Sequence, residues 1–155
     1  MSTSRFRQSS SKRGAVPDES GDVAKDEIVG AKGTVAGRRL LPDDSKMLRI
    51  EVMRALRDPS IDVVVLTGGT GVSKTDVTIE TVRPLLEKEI EGFGEVFRAV
   101  SYRKIGPAAA LSRATAGVAE GKVVMCLPGS PDAVRTALRL FLGEIPHILH
   151  LTRGN

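Results

Sequence analysis

Thr67-Gly68-Gly69-Thr70-Gly71 is the stretch of this chain best suited to holding an anion. Its glycines let the backbone turn sharply and leave N–H groups that can face a phosphate. Thr70 and Ser73 add hydroxyl donors, and Lys74 adds a positive charge. No Gly-Lys-Ser/Thr closes the run, so it is not a Walker loop; an ordinary tight turn is the plainer reading. Asp76 opens the next helical pattern. It can cap that helix, or it can hold Mg²⁺ beside bound phosphates, and the two uses compete for one carboxylate.

Asp43 and Asp44 pose the same question after another apolar run. One of them caps the helix that follows, and the residues alone do not say which. Gly129-Ser130-Pro131 is a third such place, where Ser130 as N-cap and Pro131 at the first helical position leave N–H groups for an anion or for capping alone. Other chemistry is poorly supplied. His147 and His150 lie at helical spacing without a Cys, Asp or Glu partner set, which argues against a metal site. Cys126 sits in the apolar run Val123–Leu127 with no neighbouring His and reads as a small buried hydrophobe. Arg113 reads as a solvated residue of an Ala-rich helix.

These residues need elements to carry them. Val23–Lys32 is a weak helical stretch stopped by Gly30 and Gly33. Strands are expected at Thr34–Leu41, Asp62–Thr67 and Lys122–Leu127, the last two as buried parallel strands. Helices are expected from Ser45 to Arg57, from Asp76–Thr78 onward with Pro84 breaking or restarting the run, after Gly94, over Ala108–Ala119, and from Pro131 to Leu142. A short apolar segment, Ile145–Leu151, closes the chain. Strands alternating with helices imply a three-layer α/β/α domain with a mostly parallel sheet. Ligands bind such sheets outside the carboxyl ends of the strands. Pro42-Asp43, Gly68–Gly71 and Pro128–Ser130 should therefore line one crevice.

Composition narrows the function. A 155-residue chain with 41% hydrophobic residues suits one packed domain. The formal charge of +4 resides in Arg5, Arg7, Lys12 and Arg13, and the rest of the chain is neutral. With aromatics at 3%, neither a basic nucleic-acid face nor a stacking platform is expected. No apolar run approaches the ~18 residues of a membrane span, and no secretory signal is expected. A cytoplasmic protein without a disulfide is the expectation. Residues 1–22, polar and basic, read as a flexible arm, and 23–155 as a single domain.

The run from Thr67 to Leu138 resembles the Mog/MoaB molybdopterin adenylyltransferase family, and most closely its MoaB branch. The resemblance rests on Thr67–Gly71, Asp76-Val77-Thr78, Gly92-Phe93-Gly94-Glu95, Leu111-Ser112-Arg113 and Leu127-Pro128-Gly129-Ser130-Pro131, with Arg38–Asp44 and Asp18–Asp22 upstream. It implies the molybdopterin-binding fold. It also implies adenylyl transfer from Mg-ATP to the terminal phosphate of molybdopterin, within molybdenum or tungsten cofactor synthesis. The alternative is a non-catalytic molybdopterin carrier of the same fold. By resemblance, Asp43 and Asp76 are the catalytic and Mg²⁺-holding carboxylates, leaving Asp44 to cap. Thr67, Gly68, Gly69, Thr70, Gly71, Ser73 and Thr78 would surround the phosphates. Ser112, Gly129 and Ser130 would line the pterin side. Trimers, or hexamers built from them, are implied as the assembly.

One departure stands out. Family members begin with an apolar strand ahead of a loop that Ser2-Thr3-Ser4-Arg5-Phe6 resembles. Here that strand is expected to be missing, and the expected reason is a native start upstream.

Overall fold

A β-branched run buried on both faces needs a helical layer above and below it, and Val63–Thr67 has both. The computed structural model describes Arg5–Ser11 and residues 17–154. Its elements are β1 (Arg5–Ser11), α1 (Glu19–Gly30), β2 (Thr34–Leu41), α2 (Ser45–Arg57), β3 (Val63–Thr67), α3 (Thr78–Val82), β4 (Lys88–Glu89), α4 (Glu91–Ile105), β5 (Thr115–Ala119), β6 (Lys122–Leu127), α5 (Pro131–Phe141) and α6 (Ile145–Arg153). The strands form one six-stranded sheet in the order β2-β1-β3-β6-β5-β4. β2, β1, β3 and β6 run parallel, and β5 runs antiparallel both to β6 and to β4, the strand at the other edge.

The two-residue period of the strands sorts their side chains between two cores. Val63 and Val65 of β3, with Val123, Met125 and Leu127 of β6, pack under α1, α4, α5 and α6 through Ala24, Ile28, Phe93, Phe97, Val134, Leu138, Ile145 and Leu149. Val64, Leu66, Val124 and Cys126 pack on the opposite face against Leu48, Val52 and Leu56 of α2 and Ile79 and Val82 of α3. This is the expected three-layer α/β/α domain.

Three sequence expectations are corrected. The place of the missing strand is filled: Arg5–Ser11 pairs in parallel with β2 on one side and β3 on the other. Residues 5–11 therefore belong to the sheet, and α1 starts at Glu19 rather than Val23; residues 1–4 and 12–16 lie outside the described residues. The physical reason is that β2 and β3 present facing rows of backbone donors and acceptors, which a segment of polar sequence satisfies as well as an apolar one. Phe6, 2% exposed, anchors the strand in the first core. Burying such a side chain stabilises the fold by roughly 1.5–3 kcal/mol.

The second correction concerns Ala108–Ala119, which is not a helix. Gly106–Leu111 is a 3-10 turn, and Thr115–Ala119 is β5, paired antiparallel with β6. The hairpin turn is Glu120-Gly121, with φ of 50° and 69° at its two residues. Two successive positive φ values fit the right-handed twist of the flanking strands. Helix propensity of the alanines was outweighed by this turn and by the sheet edge it completes. Third, Arg113 lies between the 3-10 turn and β5, not on a solvated helix face.

Candidate active-site cleft

Strand register puts the loops of interest in one row. Leu40 and Thr67 both pair with Ser10, and Thr67 pairs with Leu127. At about 4.8 Å between neighbouring strands, the row spans roughly 14 Å. The order of the sheet reverses direction at β1, so the crevice above β1 and β3 is the switch point where ligands bind in open α/β sheets. A cleft of about 610 Å³ opens there.

The expected crevice is largely assembled. Thr67, Gly68, Gly69, Thr70, Gly71, Asp76, Ser112, Gly129 and Ser130 line the cleft. Asp43, Ser73 and Thr78 are not among its lining residues, although Leu40, near the end of β2, is. Asp18, Glu19 and Ser20, which sequence reasoning had not assigned to a site, form part of the rim. Arg38 fastens them. Its guanidinium donates to Asp18 Oδ2 and to the Asp18 carbonyl at 2.5 and 2.8 Å, and to Asp22 Oδ1 at 2.5 Å. Ser20 Oγ donates to the Gly129 carbonyl and so joins this rim to the β6 exit.

The glycine loop is held by its carbonyls. Gly68 N–H donates to the Leu127 carbonyl at 2.9 Å. Thr78 secures the first half: its Oγ1 donates to the Gly68 carbonyl at 2.9 Å and its N–H to the Gly69 carbonyl at 3.0 Å. Arg113 secures the second half, with Nε donating to Gly71 O at 2.8 Å and Thr70 O at 3.3 Å. Gly68 and Gly69 adopt φ of 87° and 66°, values that side chains with a Cβ rarely take. The N–H groups of Gly69, Thr70 and Gly71 donate to no acceptor among the described residues. Nor does the hydroxyl of Thr70, a residue only 3% exposed, have a hydrogen-bond partner among them. Buried donors without partners are uncommon in folded proteins, and a cluster of them on one cleft wall marks a place for an anion.

The aspartates divide as follows. Asp44 caps α2, its Oδ1 accepting from Met47 N–H at 2.8 Å. Asp43 precedes that cap at the exit of β2 and is half-buried. Asp76 does not cap α3, whose N-cap is Val77. Its Oδ2 accepts from Ser73 N–H at 2.9 Å and faces Gly71, where a Cβ would come within 2.8 Å of that oxygen. Ser130 caps α5 through Ala133 N–H at 3.3 Å, with Pro131 at the first helical position.

Among the described residues no three His, Cys, Asp or Glu side chains cluster as a metal site of protein ligands alone. Mg²⁺, however, is ordinarily held by one or two carboxylates together with substrate phosphates. The Asp76 carboxylate, beside a loop whose Gly69, Thr70 and Gly71 N–H groups meet no acceptor among the described residues, is a donor set that fits a cation arriving with a nucleotide.

Arg113 was overlooked in the sequence. Its signal was its place beside Ser112 in a motif, hidden by the helical reading of the alanines before it. Its guanidinium also pairs with Glu80 of α3, and that hydrogen bond holds the Glu80 carboxyl below its ordinary range.

Comparison with known proteins gives the family of the chain. The sequence pattern of the family described as "Probable molybdopterin binding domain" matches residues 1–149. The chain is 40% identical over 140 residues to a "Probable molybdopterin adenylyltransferase" of Methanocaldococcus jannaschii, covering 90% of this chain and 83% of that protein. It is 42% identical over 145 residues to a "Molybdopterin adenylyltransferase" of Pyrococcus furiosus, covering 91% and 84%. The crystal structure of the tungsten cofactor synthesizing protein MoaB from Pyrococcus furiosus superposes with a TM-score of 0.90 at 40% identity, covering 97% of this chain and 98% of that one. By sequence and by fold, the chain belongs to the molybdopterin-binding domain family of molybdenum and tungsten cofactor synthesis.

Proposed function

We propose that this protein transfers the adenylyl group of Mg-ATP to the terminal phosphate of molybdopterin. An oxygen of that phosphate attacks the α-phosphorus, the bond to the bridging oxygen breaks, and pyrophosphate leaves with adenylylated molybdopterin as the other product. The observation that carries the reading is the glycine loop. Its carbonyls are tied back by Thr78 and Arg113, while the N–H groups of Gly69, Thr70 and Gly71 lack acceptors among the described residues. Relatives named for this activity at 40–42% identity support it.

Joining two anions demands positioning and charge neutralisation more than covalent help from the protein. The loop amides and the Thr70 hydroxyl donate to phosphate oxygens and need no reorganisation to do so. Ser73 orients Asp76 through its backbone N–H. Asp76, with Asp43 from the β2 exit, would hold the Mg²⁺ of the nucleotide, which when bound neutralises phosphate charge. Ser112, Gly129 and Ser130 form the wall offered to the pterin. We place the reaction in the cytoplasm, which supplies ATP, and in a homotrimer or a pair of trimers. Among the described residues no helix is long and apolar enough to cross a membrane.

A molybdopterin carrier without catalysis is the second reading, favoured by the position of Asp43 outside the cleft lining. One assay separates the two: molybdopterin and Mg-ATP are incubated with the protein and with Asp76→Asn, and the products are resolved by chromatography. Adenylylated molybdopterin from the native chain alone is the expected result. Bound molybdopterin with no adenylylated product would replace the enzyme by the carrier.

A further inference from the structure

Thr70 and Gly71 carry the two loop carbonyls farthest from β3, and both accept from a single nitrogen, Nε of Arg113. In a trans peptide the N–H points opposite to the C=O of the same plane. The plane of the Thr70 carbonyl carries Gly71 N–H, and that of the Gly71 carbonyl carries Val72 N–H. Arg113 lines a separate cavity of about 290 Å³ beside the cleft, while Thr70 and Gly71 line the cleft itself. A carbonyl drawn toward Arg113 therefore turns the N–H of its plane away from the side cavity. The guanidinium is itself anchored, because its Nη atoms pair with Glu80 on α3, the helix that follows the loop. One planar group thus ties the loop, the next helix and the Ser112 wall together.

Resting on the function proposed above, we propose that Arg113 is a positioning residue for the nucleotide: held by Glu80, it fixes the Thr70 and Gly71 carbonyls and so aims the Gly71 N–H group at the phosphates of ATP. Lysine cannot replace it fully. An ammonium offers no fixed fork with which to meet the two carbonyls and Glu80 together. Among the described residues the Glu80 carboxylate hydrogen-bonds to no side chain but that of Arg113, so its removal loosens the guanidinium without deleting it.

The test measures Mg-ATP binding by titration calorimetry without molybdopterin, and then KM for each substrate, on native protein, Arg113→Gln, Arg113→Lys, Glu80→Gln and the Arg113→Gln/Glu80→Gln double variant. Arg113→Gln should weaken Mg-ATP binding at least tenfold and raise KM for ATP but not for molybdopterin. Arg113→Lys should fall between it and native protein. Glu80→Gln should shift ATP binding several-fold in the same direction, and the double variant should lose less than the product of the two single losses. A folded Arg113→Gln that binds Mg-ATP within twofold of native protein overturns the proposal, as does an equal rise in both KM values. Should Arg113→Gln fail to fold, unchanged ATP binding in Glu80→Gln overturns it. Native protein that binds Mg-ATP yet makes no adenylylated molybdopterin removes the proposed function, and the binding ratios still decide the role of Arg113. Native protein that binds no Mg-ATP removes both.

Discussion

The backbone N–H of Ser73 donates to Oδ2 of Asp76 at 2.9 Å, so the carboxylate folds back on its own loop instead of capping α3. The hydrogen bond needs an oxygen acceptor but not a charge, whereas a cation beside phosphates needs the charge. Asparagine should separate the two. Asp76→Asn keeps an oxygen for Ser73 and should melt close to native protein while adenylylation falls on the order of a hundredfold or more. Asp76→Ala should lose activity similarly and also about 0.5–1.5 kcal/mol of stability. Product assays alongside thermal melts check both. A native-like rate in Asp76→Asn would remove the carboxylate from the chemistry.

Gly71 and Gly69 should respond to alanine with different losses. At Gly71 a Cβ would lie 2.8 Å from Asp76 Oδ2, the far end of a flexible side chain rather than backbone. Stability should stay within about 1 kcal/mol of native, because removing glycine also restricts the unfolded chain. Mg-ATP binding should nonetheless weaken about tenfold as the carboxylate is displaced. Gly69 has φ of 66°, and a Cβ there would meet Thr78 Oγ1, the group that holds the Gly68 carbonyl. Gly69→Ala should therefore cost stability, roughly 1–2 kcal/mol from the backbone alone. Denaturant titration of both variants gives the comparison.

Three of the four strands in the parallel run, β2, β3 and β6, and most of the cleft were legible from residue patterns. Val63–Leu66 and Val123–Leu127 could be read because burial on both faces leaves no polar alternation, and Ser130-Pro131 because capping chemistry is local. β1 was not legible. Its partners are distant in sequence, and a strand flanked on both sides is selected by backbone pairing that side-chain pattern does not report. β5 was misread for a related reason: Ala108–Ala119 is helical by propensity, and the turn that makes it a strand lies just outside, at Glu120-Gly121. Losing β5 also hid Arg113, whose contacts with Thr70 and Gly71 span more than forty residues. Resemblance to a family singled out Asp76 and Asp43, which residue types alone left undecided.

Glu89 gives the edge of the sheet a pH dependence. Hydrogen bonds from Arg83, at 3.0 and 2.9 Å, and from Thr115 Oγ1, at 2.6 Å, hold its carboxyl below the ordinary value of 4.5. A carboxyl depressed in the folded state stabilises above its unfolded value, and that stability is lost as pH falls through the folded one. Glu89→Gln should therefore melt below native protein at pH 7. The gap should narrow as pH drops below 4.5 and close once Glu89 is protonated in both states. Melts of the two proteins across that range test it. A gap that widened toward acid would contradict the ion pair as its source.

Cys126 tests the second core. It faces α2 and α3 from β6, fully enclosed among Leu66, Val124 and the helix side chains, and burial pushes its thiol up to about 12. The thiolate is the reactive form, so at pH 8 a group with that pKa is ionised on the order of one part in ten thousand. Folded protein should resist a thiol reagent for as long as the core stays closed, and protein in denaturant should react fully within minutes. Substitution should follow packing rather than reactivity. Cys126→Ala should be tolerated in activity, because the side chain lies on the sheet face opposite the first core and outside the residues lining the cleft. Cys126→Asp should unfold the domain, since an unpaired carboxylate cannot be accommodated there. Rapid modification of the native protein would mean that α2 or α3 opens far more often than the burial of Leu48, Val52, Ile79 and Val82 implies.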